Sequence, residues 1–393
     1  MTTVAHNPPE QMTRWMVSLF AFCCGAIVAN LYYAQSIIEL IAADVGLSTE
    51  AASLIVSLTQ IGYALGMFLL VPLADLLENR RLMLVTAAVS IVSLAAAACA
   101  HNGGLFLALS LLIGFSSVSV QILIPLAAHM TPEASRGRVV GSIMGGLLLG
   151  ILLARPLASL IADHFGWRTV FAVAAVVMAF ISLVMALGMP RRQPDHKASY
   201  PQLLRSLGNL LANQPVLRQR AMYQGMMFAT FSLFWTAAPL ELSQRHGYSQ
   251  SAIAVFALIG ALGAIAAPIA GRLADAGHTR IATLAGLSFA VLCYLPGLFI
   301  PALGAIGLVV NGVVLDFCVQ MTMVTGQRSV YALDPASRGR LNALYMTSIF
   351  LGGSLGSSLA GPLYAHGGWA WVAMAGAAFP LLALARFLLV RRS

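Results

Sequence analysis

Long apolar stretches recur along this chain, each close to the length of one membrane crossing and each closed by a short polar or glycine-proline segment. Twelve can be marked, at approximately 14–38, 50–72, 82–100, 105–129, 139–162, 169–189, 220–243, 250–272, 281–300, 303–328, 340–364 and 370–389. The hydrocarbon core of a bilayer takes about 20 apolar residues per helix, and only hydrogen-bonded helices or closed barrels can cross it. The pattern therefore predicts twelve membrane-spanning helices. The longest polar interruption, 190–219, falls halfway along. Within it Tyr200, Leu203, Leu204, Leu207, Leu210 and Leu211 recur at helical spacing behind Ser199 as N-cap. This spacing predicts an amphipathic helix lying on the membrane surface.

The segments on either side of that interruption repeat each other. Shifted by 202 positions, Ser135–Arg138 (SRGR) falls on Ser337–Arg340 (SRGR), and His164, Gly166 and Trp167 fall on His366, Gly368 and Trp369. Shifted by 200, Leu73-Ala74-Asp75 falls on Leu273-Ala274-Asp275. A repeat at half the chain length is a duplicated domain. The expected architecture is an all-α membrane protein. It has a six-helix half (1–189), a cytoplasmic linker (190–219) and a second six-helix half (220–393), related by a pseudo-two-fold axis.

Composition supports a lipid solvent. The chain is 59% hydrophobic and 9% charged, with mean hydropathy +0.86, against roughly 25% charged residues in soluble domains. The net charge of +9 does not indicate nucleic acid, because the basic residues sit at segment ends. With the N-terminus cytoplasmic, 19 of the 22 Lys and Arg, all but Arg155, Arg168 and Arg245, fall on the cytoplasmic side. The positive-inside rule then places both termini in the cytoplasm of a bacterial-type inner membrane. Trp167, Trp369 and Trp371 are expected at the outer interface and Trp15 at the inner one, with Trp235 inside a span. The N-terminal apolar run is too long for a cleaved signal. The five cysteines lie in apolar runs and read as small core residues. Lys197 is the only lysine and no phosphate-binding loop precedes it; H-E-x-x-H is also absent, and the one G-x-S-x-G, at 352–356, lies inside an apolar run, where its glycines read as close helix packing. Neither an enzyme, a metal nor a cofactor is expected.

A few residues do not belong in lipid. Asp316 is the one acid near the middle of a span, where a charge costs on the order of 3 kcal/mol; it persists there by pairing or by titrating. Gln320 lies one turn further on. Arg155, deep in the fifth run, is its counter-charge, an anchor for an anionic group, or a donor to backbone carbonyls. Polar faces recur elsewhere: Asn30 and Tyr33, with Tyr32 and Gln35 nearby; Ser53, Ser57 and Gln60; Ser117 and Gln121; Asn342 and Tyr345. Gln224, Phe228, Phe231 and Trp235 form a stripe on the seventh run. Such residues either line a cavity or bond helix to helix. The third, sixth and ninth runs carry no charged residue, which fits lipid-facing positions.

Taken together, these motifs resemble the major facilitator superfamily. After its second span that family carries G-x-L-A-D-R-x-G-R-R. Here Val71–Arg81 keeps Leu73-Ala74-Asp75 and the closing Arg80-Arg81, and Gly271–Gly277 is a second copy. The fifth run, with Gly141, Gly145, Gly146, Gly150 and Arg155-Pro156, is similar to the antiporter motif of the drug:proton antiporter and sugar and nucleoside efflux branch. Ser110 stands where that branch has an intramembrane arginine. The resemblance implies two halves that rock about a midplane site. It implies a cavity lined from spans one, four, seven and ten. It also implies a cytoplasmic gate in which Asp75 and Asp275 meet helix N-termini across the halves, flanked by Arg80, Arg81, Arg138 and Arg340. Thr131-Pro132 and Asp334-Pro335 read as N-cap and N1 pairs that start short cytoplasmic turns.

The expectation is a secondary transporter moving a small organic molecule, most simply by proton-coupled efflux, and functional as a monomer. Asp316 and Arg155 are expected to carry coupling. Asn30, Tyr33, Gln60, Gln121, Gln224, Phe231, Trp235, Gln320, Asn342 and Tyr345 are expected to line the cavity. Uptake by symport and a non-translocating receptor are the alternatives. A membrane-embedded transferase lacks a polar catalytic cluster, and a channel leaves the duplication unexplained.

Overall fold

The computed structural model describes residues 13–189, 191, 199–260, 262–263, 266–296, 304–334 and 337–390. Among them there is helix and no strand. The helices alternate in direction. We call the side holding Arg14 and the linker helix the linker side, and the opposite side the far side.

Span one is discontinuous. Arg14–Ala29 gives way to a turn at Asn30–Tyr32, then to Tyr33–Ser36 and Ile38–Val45, and stops at Gly46 with φ 73. Span two runs from Thr49 through Leu54–Leu69 to a 3-10 turn at Val71–Asp75, and span three is Asn79–Ala98. Span four starts where the Asn102 side chain accepts from the Leu105 N–H at 3.2 Å. It is broken by a 3-10 turn at Ser117–Ser119 before Val120–His129. Spans five and six are Glu133–Phe165 and Trp167–Gly188. After the linker helix Tyr200–Asn213 come Pro215–Leu240, Gln250–Gly260 with Ala266–Asp275, Thr279–Leu292 and Gly304–Tyr331. Arg338–Leu389 holds the last two spans, parted at Gly368 with φ 58 and ψ −154. Gly166, its partner in the repeat, also takes a positive φ, 81. Both corners use a conformation that glycine reaches without a Cβ penalty.

The duplication is visible in the packing. Span one crosses span five where a Cβ on Gly25 would meet the Gly146 carbonyl at 2.6 Å and Gly150 Cα at 3.5 Å. Span seven crosses span eleven at Gly225 and Gly352, again backbone on backbone. Small residues let membrane helices approach this closely, where dispersion and lipid release drive association.

Three local expectations are corrected. Thr131 does not cap span five: its hydroxyl donates back to the Ala127 carbonyl at 2.7 Å, and the helix starts at Glu133 behind Pro132. In the second such pair Pro335 lies outside the described residues. Trp167 and Trp369 are not interfacial anchors but core, each 6% exposed. Trp167 packs edge-on to Phe106 and donates to Asp44 at 3.0 Å, and Trp369 meets Phe234. Trp15 and Trp371 are exposed. The linker helix forms, with the Gln202 side chain accepting from the Ser199 N–H at 2.9 Å. Its apolar face, however, is covered by protein in part: Leu203 and Leu207 are buried while Leu211 is exposed, and Tyr200 donates to the Leu69 carbonyl at the end of span two.

Candidate functional site

A cavity of about 630 Å³ lies between the two sets of six spans. Its walls come from spans one, two, four and five on one side and seven, ten and eleven on the other. Exposed Arg338 and Gly339 mark its mouth on the linker side, together with Ala128 and Tyr331. Its closed end holds Tyr32, Arg155, Phe231 and Asp316. Between these limits the lining is mostly aliphatic and methionine side chains, interrupted by Gln121, Gln320, Gln327 and Asn342.

The closed end is built around Arg155. Span five carries it to a position 5% exposed. Its Nε donates to Gln35 Oε1 at 2.9 Å. Its guanidinium carbon lies 4.4 Å from the Trp235 ring centroid and 5.2 Å from those of Tyr32 and Phe231. Three ring faces stabilise a cation that has lost its water. Trp235 looks both ways, for its indole N–H donates to Asp316 Oδ1 at 2.8 Å. Asp316 and Arg155 form no ion pair within 4 Å among the described residues, so the two charges are joined through the indole instead. An aromatic row continues from there: Phe231 stacks on Phe228 at 5.0 Å, Phe228 meets Phe350 at 5.3 Å, and Phe350 meets Tyr63 at 4.4 Å.

Of the residues expected to line this space, Gln121, Phe231, Gln320 and Asn342 do so, as do Asp316 and Arg155. The others are placed elsewhere. The turn at Asn30–Tyr32 shifts the helical phase of span one. Tyr32 and Gln35 therefore reach the Arg155 site, while Asn30 is buried and Tyr33 is half-buried off the lining. Gln224 donates to the Val319 carbonyl at 3.3 Å, and Tyr345 is fully buried against span ten. Trp235 stands behind the lining as the link between the charges. Gln60 donates to Ser232 at 2.6 Å in a seam that closes the far side.

That seam is made almost wholly of short side chains. Ser57 and Ser357 hydroxyls meet at 2.9 Å, Ser53 donates to the Ser358 carbonyl at 3.4 Å, and Gln35 donates to Thr236 at 3.4 Å. Ser251 donates to Asp163, and Gln244 to Glu39, at its rim. On the linker side the main polar bridge between the halves is the Asn342 amide donating to Gln121 at 3.2 Å; Gln121 in turn donates to Tyr63 at 3.1 Å.

The residues expected at a linker-side gate do not meet across the halves. Asp75 is exposed and makes no ion pair among the described residues. Asp275 pairs with Arg328 of its own half. Arg80 donates to the Met189 and Ala186 carbonyls and so caps span six, complementing the negative end of that helix. Arg340 donates to Ser337 at 2.8 Å. Arg81 and Arg138 are exposed. These distances belong to an arrangement open on the linker side, in which the expected cross-half contacts are apart.

Tyr32 and Gln35, in the sequence only neighbours of the Asn30 and Tyr33 face, belong to the site, and so do Tyr63, Gln327, Tyr331 and Phe350, which no sequence pattern marks. A break in span one has no strong sequence marker, since Asn30-Leu31-Tyr32 contains neither glycine nor proline.

A family model described as the Major Facilitator Superfamily matches residues 17–332 and 266–393. The chain is 39% identical, over 96% of both chains, to the uncharacterized transporter YgaY of Escherichia coli O157:H7. It is 32% identical, over 94% of its own length and 86% of the other, to a Streptomyces coelicolor protein named "Probable transporter SCO4007". Its fold is similar to a crystal structure of the nucleoside transporter NupG, with TM-score 0.77 and 14% identity over 96% of this chain and all (100%) of that one. It is also similar to a bacterial homolog of the human lysosomal transporter Spinster in an inward-facing, occupied conformation, with TM-score 0.75 and 15% identity over 98% and 97%. Twelve helices in two halves, a cavity between them and these matches lead to one conclusion: the chain is a multi-pass membrane protein that belongs to the Major Facilitator Superfamily of transporters.

Proposed function

We propose that this protein is a proton-coupled secondary transporter that exports a small organic molecule by alternating access. The observation that carries the proposal is the cavity between the halves, open on the linker side, with Asp316 and Arg155 at its closed end. Asp316 takes up and releases the proton, and Arg155 sets the electrostatic field in which it does so. The halves, 1–189 and 220–393, rock about this site while the linker of 190–219 tethers them. The basic linker side faces the cytoplasm of a bacterial-type inner membrane, as do both termini. No cofactor takes part, the proton gradient supplies the energy, and the monomer is the working unit.

The far-side seam supports the rocking. Its central contacts are neutral hydrogen bonds, each worth about 1 kcal/mol, with carboxylates only at the rim, so a modest binding energy can open it. Asp75 and Asp275 would meet helix N-termini only after the linker side closes.

Reconstituted protein with a pH-sensitive dye inside the vesicles tests the reading. Amphipathic drugs, sugars and nucleosides are screened against wild type and Asp316→Asn. Proton movement driven by one of them through wild type and lost in the variant is the expected result. Undiminished proton-driven transport by the variant would remove Asp316 from the mechanism. Counterflow under an imposed pH gradient separates export from uptake by symport.

A further inference from the structure

The two charges at the closed end of the cavity do not neutralise each other directly, and this bears on what binds there. Arg155 comes from span five and Asp316 from span ten, so each half supplies one charge. Charges removed from water are normally paired with each other at short range, because an unpaired one is costly. Here the indole of Trp235 stands between them, and each keeps bonding capacity. Arg155 uses Nε on Gln35, while its Nη2 is buried with no hydrogen-bond partner. Asp316 accepts from Trp235 through Oδ1 alone among the described residues. One turn along span ten, the Gln320 Oε1 is likewise buried without a partner. Arg155 and Gln320 are the only cavity-lining residues with such an atom among the described residues. The polar groups nearer the mouth are satisfied: Gln327 and Tyr331 both donate to Asn342, and Asn342 donates to Gln121.

The unmet demand at the closed end is therefore one donor from a cation and two acceptors, one of them a carboxylate. A ligand with a single charge would answer one and leave the other. A ligand carrying both an anionic and a cationic group answers both and links the halves through them. The stacked pair Phe228 and Phe231, 5.0 Å apart and inclined by 15°, with Phe350 beyond, offers faces for a flat ring.

We propose that the closed end of the cavity binds a small zwitterion bearing a flat ring. Its carboxylate meets Arg155, its ammonium meets Asp316 and Gln320, and its ring lies against Phe228 and Phe231. This rests on reading the cavity as the transport site. It also gives the exchange a physical form, because the ammonium and the coupling proton compete for the same carboxylate.

Three probes that share one ring decide the matter: L-phenylalanine, 2-phenylethylamine and 3-phenylpropionate. Binding of each to the purified full-length protein is measured by equilibrium dialysis. Loss of one charge-assisted contact is expected to weaken binding by about tenfold or more, the factor that 1.4 kcal/mol represents. The zwitterion should therefore exceed both the amine and the acid by that margin. Equal binding of the amine or of the acid, or no binding of phenylalanine, would overturn the proposal. Variants add a readout that general damage cannot mimic. Arg155→Gln should reverse the preference toward the amine, and Asp316→Asn toward the acid, whereas variants that keep the wild-type order would overturn the assignment of the two charges. Failure here and failure of the transporter reading are distinguishable. Proton flux driven by uncharged compounds in a protein that ignores phenylalanine sinks the zwitterion alone. Phenylalanine binding without flux of any kind sinks the transporter.

Discussion

The far-side seam and the linker-side cavity lie at opposite ends of the same interface, yet they are built from different chemistry. The seam joins the halves through hydroxyls and amides, Ser57 with Ser357 and Gln60 with Ser232, and its central contacts carry no formal charge. The cavity holds two charges, buried Arg155 and half-buried Asp316, and keeps them from pairing directly. Short neutral hydrogen bonds are individually weak and exchange readily for water. Buried charges are expensive and respond strongly to a proton or a ligand. Strong response is thus placed at the site, and weak latching at the end that must open. A third kind of contact, glycine on glycine at Gly25 with Gly150 and Gly225 with Gly352, lies within each half. Those contacts keep each half rigid while it moves.

The largest effect expected from breaking this division is at the charge. Asp316→Asn should lower proton-driven flux by about a hundredfold or more while the melting temperature of the purified protein stays within a few degrees, since the amide can still accept from Trp235. Flux and stability falling together would instead mark Asp316 as structural.

Next come the rigid contacts. A methyl at Gly352 would run into the Gly225 backbone, so Gly352→Ala should cost about 1–3 kcal/mol by overpacking. Gly141 has open space around it, so Gly141→Ala should be neutral or stabilising by up to about 1 kcal/mol through helix propensity. Thermal unfolding of the two variants side by side checks the pair. Equal losses would show that proximity in the glycine crossings does not set their importance.

A smaller effect is expected at the seam. Ser357→Ala removes one hydrogen bond with Ser57, about 1 kcal/mol, and should shift the equilibrium toward the far-side-open arrangement by roughly fivefold. Spin labels across the seam would report the change in population.

The least effect is expected at the arginines of the motif. Arg80→Ala loses the cap on span six and about 1 kcal/mol of stability, with an unchanged ratio of protons to substrate. Arg81→Ala, exposed and without such bonds, should fall within about 0.5 kcal/mol of wild type.

The fold was legible because it is written as period and repeat. Apolar runs of the length of a bilayer, duplicated motifs around Asp75 and Asp275, and glycines at matching positions 166 and 368 needed no tertiary knowledge. The site was legible in its charges, since an Asp and an Arg inside apolar runs are conspicuous. It was not legible in its polar neutral residues. Gln60 reads as cavity lining, with Ser53 and Ser57 open between cavity and helix packing, because a polar stripe on a membrane helix looks the same whether it faces water or another helix. The choice depends on which end of the interface is closed, which one sequence cannot express. Tyr32 and Gln35 were displaced from notice by the turn at Asn30–Tyr32, which rotates the rest of span one away from continuous helical phase. The roles given to Trp167 and Trp369 failed for a related reason: an aromatic ring at a span end serves a lipid interface or a corner equally well, and here Phe106 and Phe234 complete the corners.

Alternating access requires opening and closing of the far-side seam on one protein. It can be tested without knowing the substrate, by placing a single cysteine at Ser357→Cys in a background whose native cysteines are replaced, and adding a membrane-impermeant maleimide outside intact cells. Ser357 is fully buried when the seam is closed. Labelling from outside should be slow but complete, and faster when Ser232→Ala removes the separate Gln60 bond and loosens the seam. A cysteine at this position that is never modified from outside, in either background, would contradict alternating access.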